Sequence, residues 1–199
     1  MNINDESITQ FLSKKLLNPN NNETYLRDIV RRNIKLVPRF DLMHLVIVAA
    51  TKGYLSVVKL LVKFGARITK QVIRLVDETK NKKMSTLLQI IMGIQEAHNT
   101  SEDIENIYFE FNNIHFDLLC TMFEDPSERR DKNIIHLLRR GADPSAFGGA
   151  ALSRVLNTEY YLDDAFERLS AKMLKVSTPN GLAKTVRRNR TFIVRSVKN

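Results

Sequence analysis

Apolar residues recur every three or four positions along most of the chain, the spacing that gathers them on one face of an α-helix. Leu55, Val58, Leu61 and Val62 form the clearest such face. Stretches in which apolar and polar residues alternate, as they do in a half-buried strand, are scarce. The pattern therefore predicts an all-α protein.

Polar breaks divide this pattern into short helices. An asparagine-rich run at 18–22 follows the first helix, and Pro38 ends the second helical region because the residue before a proline disfavours the helical conformation. Residues 124–132 are predicted to form a charged turn and residues 191–194 a short extended segment. The predicted helices cover residues 8–16, 25–32, 42–51, 55–64, 70–78, 84–92, 114–123, 134–140, 150–157 and 162–176.

The most informative stretch is residues 49–66, where two helices are joined by a tight turn at Gly53 and closed by Gly65. Its spacing is Ala-Ala-x-x-Gly-x-x-x-Val-Val-x-Leu-Leu-x-x-x-Gly-Ala, which closely resembles the second two-thirds of an ankyrin repeat. Ala49 and Ala50 are small enough for close helix approach. Gly65 stands where a left-handed helix end is wanted, a conformation that glycine adopts without strain.

A second copy of the ending lies at residues 134–143, where Gly141 aligns with Gly65. The interval fits two units of about 33 residues plus a short insertion. We place that insertion around residues 94–113, which are acidic and rich in asparagine. The resemblance has departures: the Thr-Pro-Leu-His opening of an ankyrin repeat is replaced by residues 44–47, and residues 69–93 lack a clear Gly-Ala ending.

The resemblance implies an ankyrin-type helical repeat solenoid of about five degenerate repeats over residues 1–176, followed by a basic tail at 177–199. Arrays of this family bind other proteins through a concave face made of inter-repeat loops and inner helices, so we expect a non-enzymatic interaction scaffold whose protein partner the sequence does not identify. The candidate contacts are the exposed loop positions Arg39, Asp41, Lys52, Arg67, Asp143, Ser145 and Phe147.

The net charge of +9 is unevenly distributed. Residues 96–131 hold 10 acids against two arginines, whereas no acid follows Glu167. The tail should therefore attract an anionic partner. Three interpretations stay open: a solvated terminus, a docking arm onto another protein, and a nucleic-acid contact. The candidate tail residues are Lys184, Arg187, Arg188, Arg190, Phe192, Arg195 and Lys198. A second basic cluster, at residues 31–39, is interpreted as a surface loop.

Motifs for chemistry are missing from the sequence. There is no glycine-rich phosphate loop, the four histidines are scattered, and Cys120 is the only cysteine. We therefore expect no enzymatic activity, no cofactor and no metal, and we expect Cys120 to be a buried small hydrophobe in a reducing compartment. The longest apolar run, at residues 45–50, is far below the roughly 20 residues of a membrane span. The polar first ten residues argue against a secretory signal.

The sequence is similar to the short, divergent ankyrin proteins of large DNA viruses or intracellular bacteria in its abundance of asparagine and its degenerate repeats. That resemblance implies a host-directed interaction protein in the cytoplasm, of the host cell if the protein is viral. The alternatives are a virion or assembly component anchored by the basic tail, and a nucleic-acid-binding accessory protein.

Overall fold

A computed structural model describes residues 7–97, 111 and 113–176. These residues form helices and the turns and loops between them, with no strand, so the all-α prediction is confirmed for them. The chain divides into two compact units after residue 112. Short 3-10 helices occur at Ile34–Leu36, Arg39–Asp41 and Leu152–Asn157. The α-helices are α1 (Ile8–Leu17), α2 (Glu23–Asn33), α3 (Leu42–Thr51), α4 (Leu55–Lys63), α5 (Lys70–Glu78), α6 (Lys82–Ala97), α7 (Ile114–Thr121), α8 (Glu128–Arg139), α9 (Ala146–Gly149) and α10 (Asp163–Val176).

The N-terminal unit is built from three helical hairpins, α1–α2, α3–α4 and α5–α6. The first helices of the hairpins pack side by side, α1 on α3 and α3 on α5, while α2 packs on α4. Ala49 and Ala50 of α3 are fully buried, as expected for small residues at a close helix contact, and the apolar stripe of α4 is buried through Val58, Leu61 and Val62. The unit therefore has two helix layers with the core between them.

The C-terminal unit contains the hairpin α7–α8, and α8 also packs against α10. Residues predicted as a helix at 150–157 form the 3-10 helix Leu152–Asn157, which packs on α10. Phe116 and Ile134 are fully buried in this unit, and so is Cys120, as the sequence predicts. The buried faces again lie between paired helices.

Polar side chains set where several helices begin. The side chains of Asn22, Thr69 and Asn113 accept hydrogen bonds from the open backbone N–H groups of α2, α5 and α7. Ser127 does the same for α8, which therefore begins at Glu128. The prediction of a charged turn over residues 124–132 is thus wrong in its second half, because the serine cap starts the helix within the charged run.

Two helix ends have the same left-handed geometry. Gly65 and Gly141 have φ angles of 90° and 94°. After Gly65 the N–H of Ala66 donates to the carbonyl of Leu61 at 3.1 Å, and after Gly141 the N–H of Ala142 donates to Leu137 at 2.9 Å. The two glycines that align in sequence therefore close their helices in the same way.

Alanine at Gly141 should lower the free energy of unfolding by about 1–2 kcal/mol, because a Cβ strains a left-handed residue. A Cβ there would meet no atom within 4 Å, so the loss would report backbone strain alone. Gly93 lies within helical α6 with equally open surroundings, and its change to alanine should add about 0.5–1 kcal/mol. Urea titrations of both variants measure the change in the free energy of unfolding. Two changes in the same direction would contradict the assigned backbone conformations.

A series of side-chain hydrogen bonds joins residues 27 to 33 positions apart within each unit. In the N-terminal unit, Glu23 at the start of α2 accepts from the N–H of Ser56 in α4 at 2.5 Å, and the hydroxyl of Thr9 donates to Asp41 at 2.7 Å. The buried amide of Gln95 accepts from the N–H of Ile68 and donates to the carbonyl of Ala66. These bonds join α1 to the 3-10 helix before α3, α2 to α4, and α6 to the loop between α4 and α5.

Candidate functional site

The connection between α2 and α3 is an anchored loop with exposed apolar side chains. Two short 3-10 helices flank Pro38, and Ile34 and Val37 are buried, which fixes the loop to the core. Leu36 lies between these anchors and is 69% exposed, and Phe40 lies between Val37 and the buried Leu42 and is 81% exposed. The alternation of buried and exposed positions therefore presents two large apolar side chains to solvent on a fixed backbone.

A third apolar side chain follows on the first turn of α3, where Met43 is 36% exposed. Single exposed apolar residues are ordinary on protein surfaces, whereas a group of them marks a surface that contacts a partner. Leu36, Phe40 and Met43 lie within one short stretch of chain. This concentration sets the stretch apart from the other exposed apolar positions.

The same stretch carries positive charge. The side chains of Arg31, Arg32, Lys35 and Arg39 are exposed, and no acidic residue occurs between residues 29 and 40. Asp41 follows at once, but its carboxylate accepts the hydrogen bond from Thr9 of α1. We call the stretch the basic–apolar segment, defined by Arg31, Arg32, Lys35, Leu36, Arg39, Phe40 and Met43.

The other predicted contacts of the N-terminal unit occupy different places. Lys52 is exposed in the turn after α3, and a helix of that length spans about 15 Å, so Lys52 stands at the opposite end of α3 from Arg39. Arg67 is exposed in the loop before α5, as Arg39 is before α3. The basic–apolar segment thus includes Arg39, while Asp41 adjoins it with its carboxylate tied to α1.

The candidate contact residues of the C-terminal unit make interactions within that unit. Asp143 accepts hydrogen bonds from the N–H and the hydroxyl of Ser145, at 2.9 and 2.7 Å, and these bonds lower the pKa of Asp143 below its ordinary value. The N–H of Asp143 donates to Nδ1 of His115 at 2.8 Å. Phe147, at a φ of 54°, packs edge to face on the buried ring of Phe116.

The basic tail residues named above, Lys184 to Lys198, lie outside the described residues, as do residues 191–194. Sequence reasoning missed Leu36, Phe40 and Met43. Two features of the sequence could have indicated that Leu36 and Phe40 are exposed. They stand on either side of Pro38, outside any helical stripe, and they lie inside the cluster interpreted as a basic loop.

Within the part of the chain that the structure describes, no group of three or more histidine, cysteine, aspartate or glutamate residues is placed to hold a metal ion. None of the described helices combines the length and the apolar character that a bilayer crossing requires. Comparison of the chain with protein-family models, with curated proteins and with solved structures finds no match.

Proposed function

We propose that the chain is a non-enzymatic protein-interaction module built on ankyrin-like repeats, and that its partner binds at the basic–apolar segment. The observation that carries this proposal is the exposure of Leu36 and Phe40 on an anchored loop. Four exposed basic side chains accompany them, and no acidic residue occurs between residues 29 and 40. An exposed apolar pair is unfavourable in water, and contact with a partner removes that cost.

The ankyrin-like reading of the scaffold has support from the spacing of its polar links. Separations of 27 to 33 positions are close to the repeat length of about 33 residues in this family. The matching helix ends at Gly65 and Gly141 give the same indication, because both close the second helix of a hairpin. Three hairpins in the N-terminal unit and the pairs of the C-terminal unit are consistent with about five repeats.

The chemistry of the segment indicates a partner segment that is acidic and carries apolar side chains. Burial of a leucine or phenylalanine side chain contributes about 1.5–3 kcal/mol, so Leu36 and Phe40 would supply most of the affinity. The four basic residues would steer an acidic partner and set its orientation. Lys35, Leu36, Arg39 and Phe40 lie on the anchored loop, and Arg31 and Arg32 lie in the last turn of α2. Both elements are held in place before binding, which limits the entropy lost on binding.

Selection of a displayed random-peptide library on the full chain tests this proposal. The enriched peptides should place acids beside aromatic or aliphatic residues. Fluorescence polarisation with one such peptide should show that Phe40→Ala weakens binding by about ten-fold or more, and Arg39→Glu by several-fold. Tyr161→Ala and Arg129→Glu are matched controls, because these two side chains are also exposed and lie in the other unit.

Peptides that bind the Phe40→Ala and Tyr161→Ala variants equally would contradict the proposed site. A selection that enriches no acidic peptide would contradict the proposed partner chemistry. Circular dichroism of each variant establishes that the helical fold is retained before binding is compared.

The alternative roles, a virion or assembly component and a nucleic-acid-binding accessory protein, depend on residues 177–199. They stay predictions of the sequence. Salt dependence distinguishes them from the proposed function, since phosphate contacts weaken steeply with added salt while apolar contacts do not.

A further inference from the structure

One carboxylate stands among the basic residues of the N-terminal unit, and another helix fixes its direction. Asp41 is the only acidic residue between residues 29 and 76, and it follows Phe40 directly. Its Oδ2 accepts a hydrogen bond from the hydroxyl of Thr9 in α1 at 2.7 Å. Thr9 is 7% exposed. The carboxylate is therefore held against a buried position of α1.

This hydrogen bond replaces the ordinary use of an aspartate at this place. Asp41 is the residue before α3, where an aspartate side chain commonly accepts from the N–H groups of the first helical turn. Its side chain makes no such bond. Asn22, Thr69 and Asn113 hold the equivalent places before α2, α5 and α7, and all three make it. The carboxylate of Asp41 thus serves the contact with α1 instead of the start of α3.

The direction of this carboxylate affects the charge that a partner meets. Turned towards Arg39, it would neutralise part of the basic charge of the basic–apolar segment and would repel an acidic partner segment. One unit charge about 6 Å from another changes an affinity by about three-fold in water, and by more at a protein surface, where the effective dielectric constant is lower. The position of a single carboxylate is therefore enough to change the preference for an acidic partner.

Two buried hydroxyl groups lie one turn apart on α1, and only one of them is bonded to the loop before α3. Helix α1 packs on α3, and Thr9 makes the bond to Asp41 from this helix. Ser13 is 8% exposed, and its Oγ has no hydrogen-bond partner within the part of the chain that the structure describes. Comparison of Thr9 with Ser13 therefore isolates the effect of the bond to Asp41.

We propose that Thr9 is a positioning residue for the binding surface. Its hydroxyl holds the Asp41 carboxylate against α1, so that an acidic partner segment meets the charge of Arg39 without a competing carboxylate. This inference rests on the proposed function and adds to it a residue, outside the basic–apolar segment, that determines the preference for acidic partners. Without the hydroxyl, the carboxylate turns to the open N–H groups of α3 or to Arg39. Either position moves its charge from α1 into the segment.

Fluorescence polarisation of the full chain with an acidic peptide from the selection tests this inference. Thr9→Val keeps the shape of the side chain and removes the hydroxyl, so it should weaken binding of the acidic peptide by about three-fold to ten-fold. A matched neutral peptide, with each acid replaced by its amide, binds through its apolar side chains alone. Its affinity should be the same for the wild-type and Thr9→Val chains. Ser13→Ala is the control and should bind both peptides as the wild-type chain does.

Asp41→Asn gives a second test, because it removes the charge and keeps an oxygen that accepts from Thr9. In the wild-type chain it should change the affinity for the acidic peptide by less than about two-fold, since the carboxylate is already held against α1. In the Thr9→Val chain the same substitution should restore most of the lost affinity. The difference between the two effects of Asp41→Asn measures the coupling between residues 9 and 41.

An equal loss of affinity for the acidic and the neutral peptide would overturn the inference, because Thr9 would then only maintain the shape of the loop. An unchanged affinity of the Thr9→Val chain would also overturn it, as would an effect of Asp41→Asn that is the same in both chains. Failure of the proposed function is a separate result: the wild-type chain would then bind no acidic peptide, and the inference would fail with it. Circular dichroism establishes that each variant keeps the helical fold.

Discussion

Arg130→Met is expected to lower the free energy of unfolding by about 3–5 kcal/mol, the largest loss predicted for a single substitution in this chain. The side chains of Arg130 and Asp131 form an ion pair and are both 0% exposed. The change removes the guanidinium from this pair and leaves a carboxylate buried without a counter-charge. It also frees the carbonyl of Glu159 from its donor. Urea titration followed by circular dichroism measures the loss.

Arg129 provides the matched control. It is the preceding residue of the same helix, but its side chain is exposed. Arg129→Met should change the free energy of unfolding by no more than about 0.5 kcal/mol, as surface substitutions do. Similar losses at residues 129 and 130 would mean that Arg130 is solvated and that the buried ion pair is absent.

Adding Asp131→Leu to Arg130→Met should recover part of the lost stability, because no uncompensated charge then stays in the core. The recovery should be incomplete. Oδ2 of Asp131 accepts from the N–H groups of Tyr161 and Leu162, and leucine offers no acceptor to them. Full recovery would show that these two backbone contacts contribute little.

Leu61→Ala should lower the free energy of unfolding by about 2–5 kcal/mol, because it opens a cavity between the helices of the N-terminal unit. Leu61 is fully buried on α4, within the apolar stripe that the sequence predicts. The cost exceeds the transfer free energy of the removed atoms, since the surrounding helices close only part of the space.

Leu36→Ala is the control for this change, because the same side chain is removed from an exposed position in the same unit. Its effect on stability should stay within about 0.5 kcal/mol. Urea titrations compare the two variants under identical conditions. A large loss at residue 36 would place Leu36 in the core and remove it from the proposed binding surface.

The helices were predictable because their signal is local. The stripe of α4, the turn at Gly53 and the helix end at Gly65 each depend on residues within a few positions of one another. The burial of Arg130 was not predictable in this way. It stands in the charged run of residues 128–132 beside Arg129, and only contacts with Glu159 and Tyr160, about 30 positions later, separate the two arginines.

The candidate site shows the same division. The basic residues from Arg31 to Arg39 are evident in the sequence, and Arg39 was a predicted contact. The exposure of Leu36 and Phe40 was not evident, because leucine and phenylalanine are usually buried and no helical spacing assigns them to either face. Leu36 and Phe40 are exposed because Ile34 and Val37 are the side chains of the loop that are buried. Which side chains are buried depends on how the loop packs on the helices around it.

Amide chemical-shift mapping of the full chain with a peptide from the selection tests whether the basic–apolar segment binds an acidic partner segment. The amides of residues 31–43 should shift together on titration, while those of Lys52 and Tyr161 stay unchanged. Shifts that cluster elsewhere, or that persist in the Phe40→Ala variant, would contradict binding at this segment.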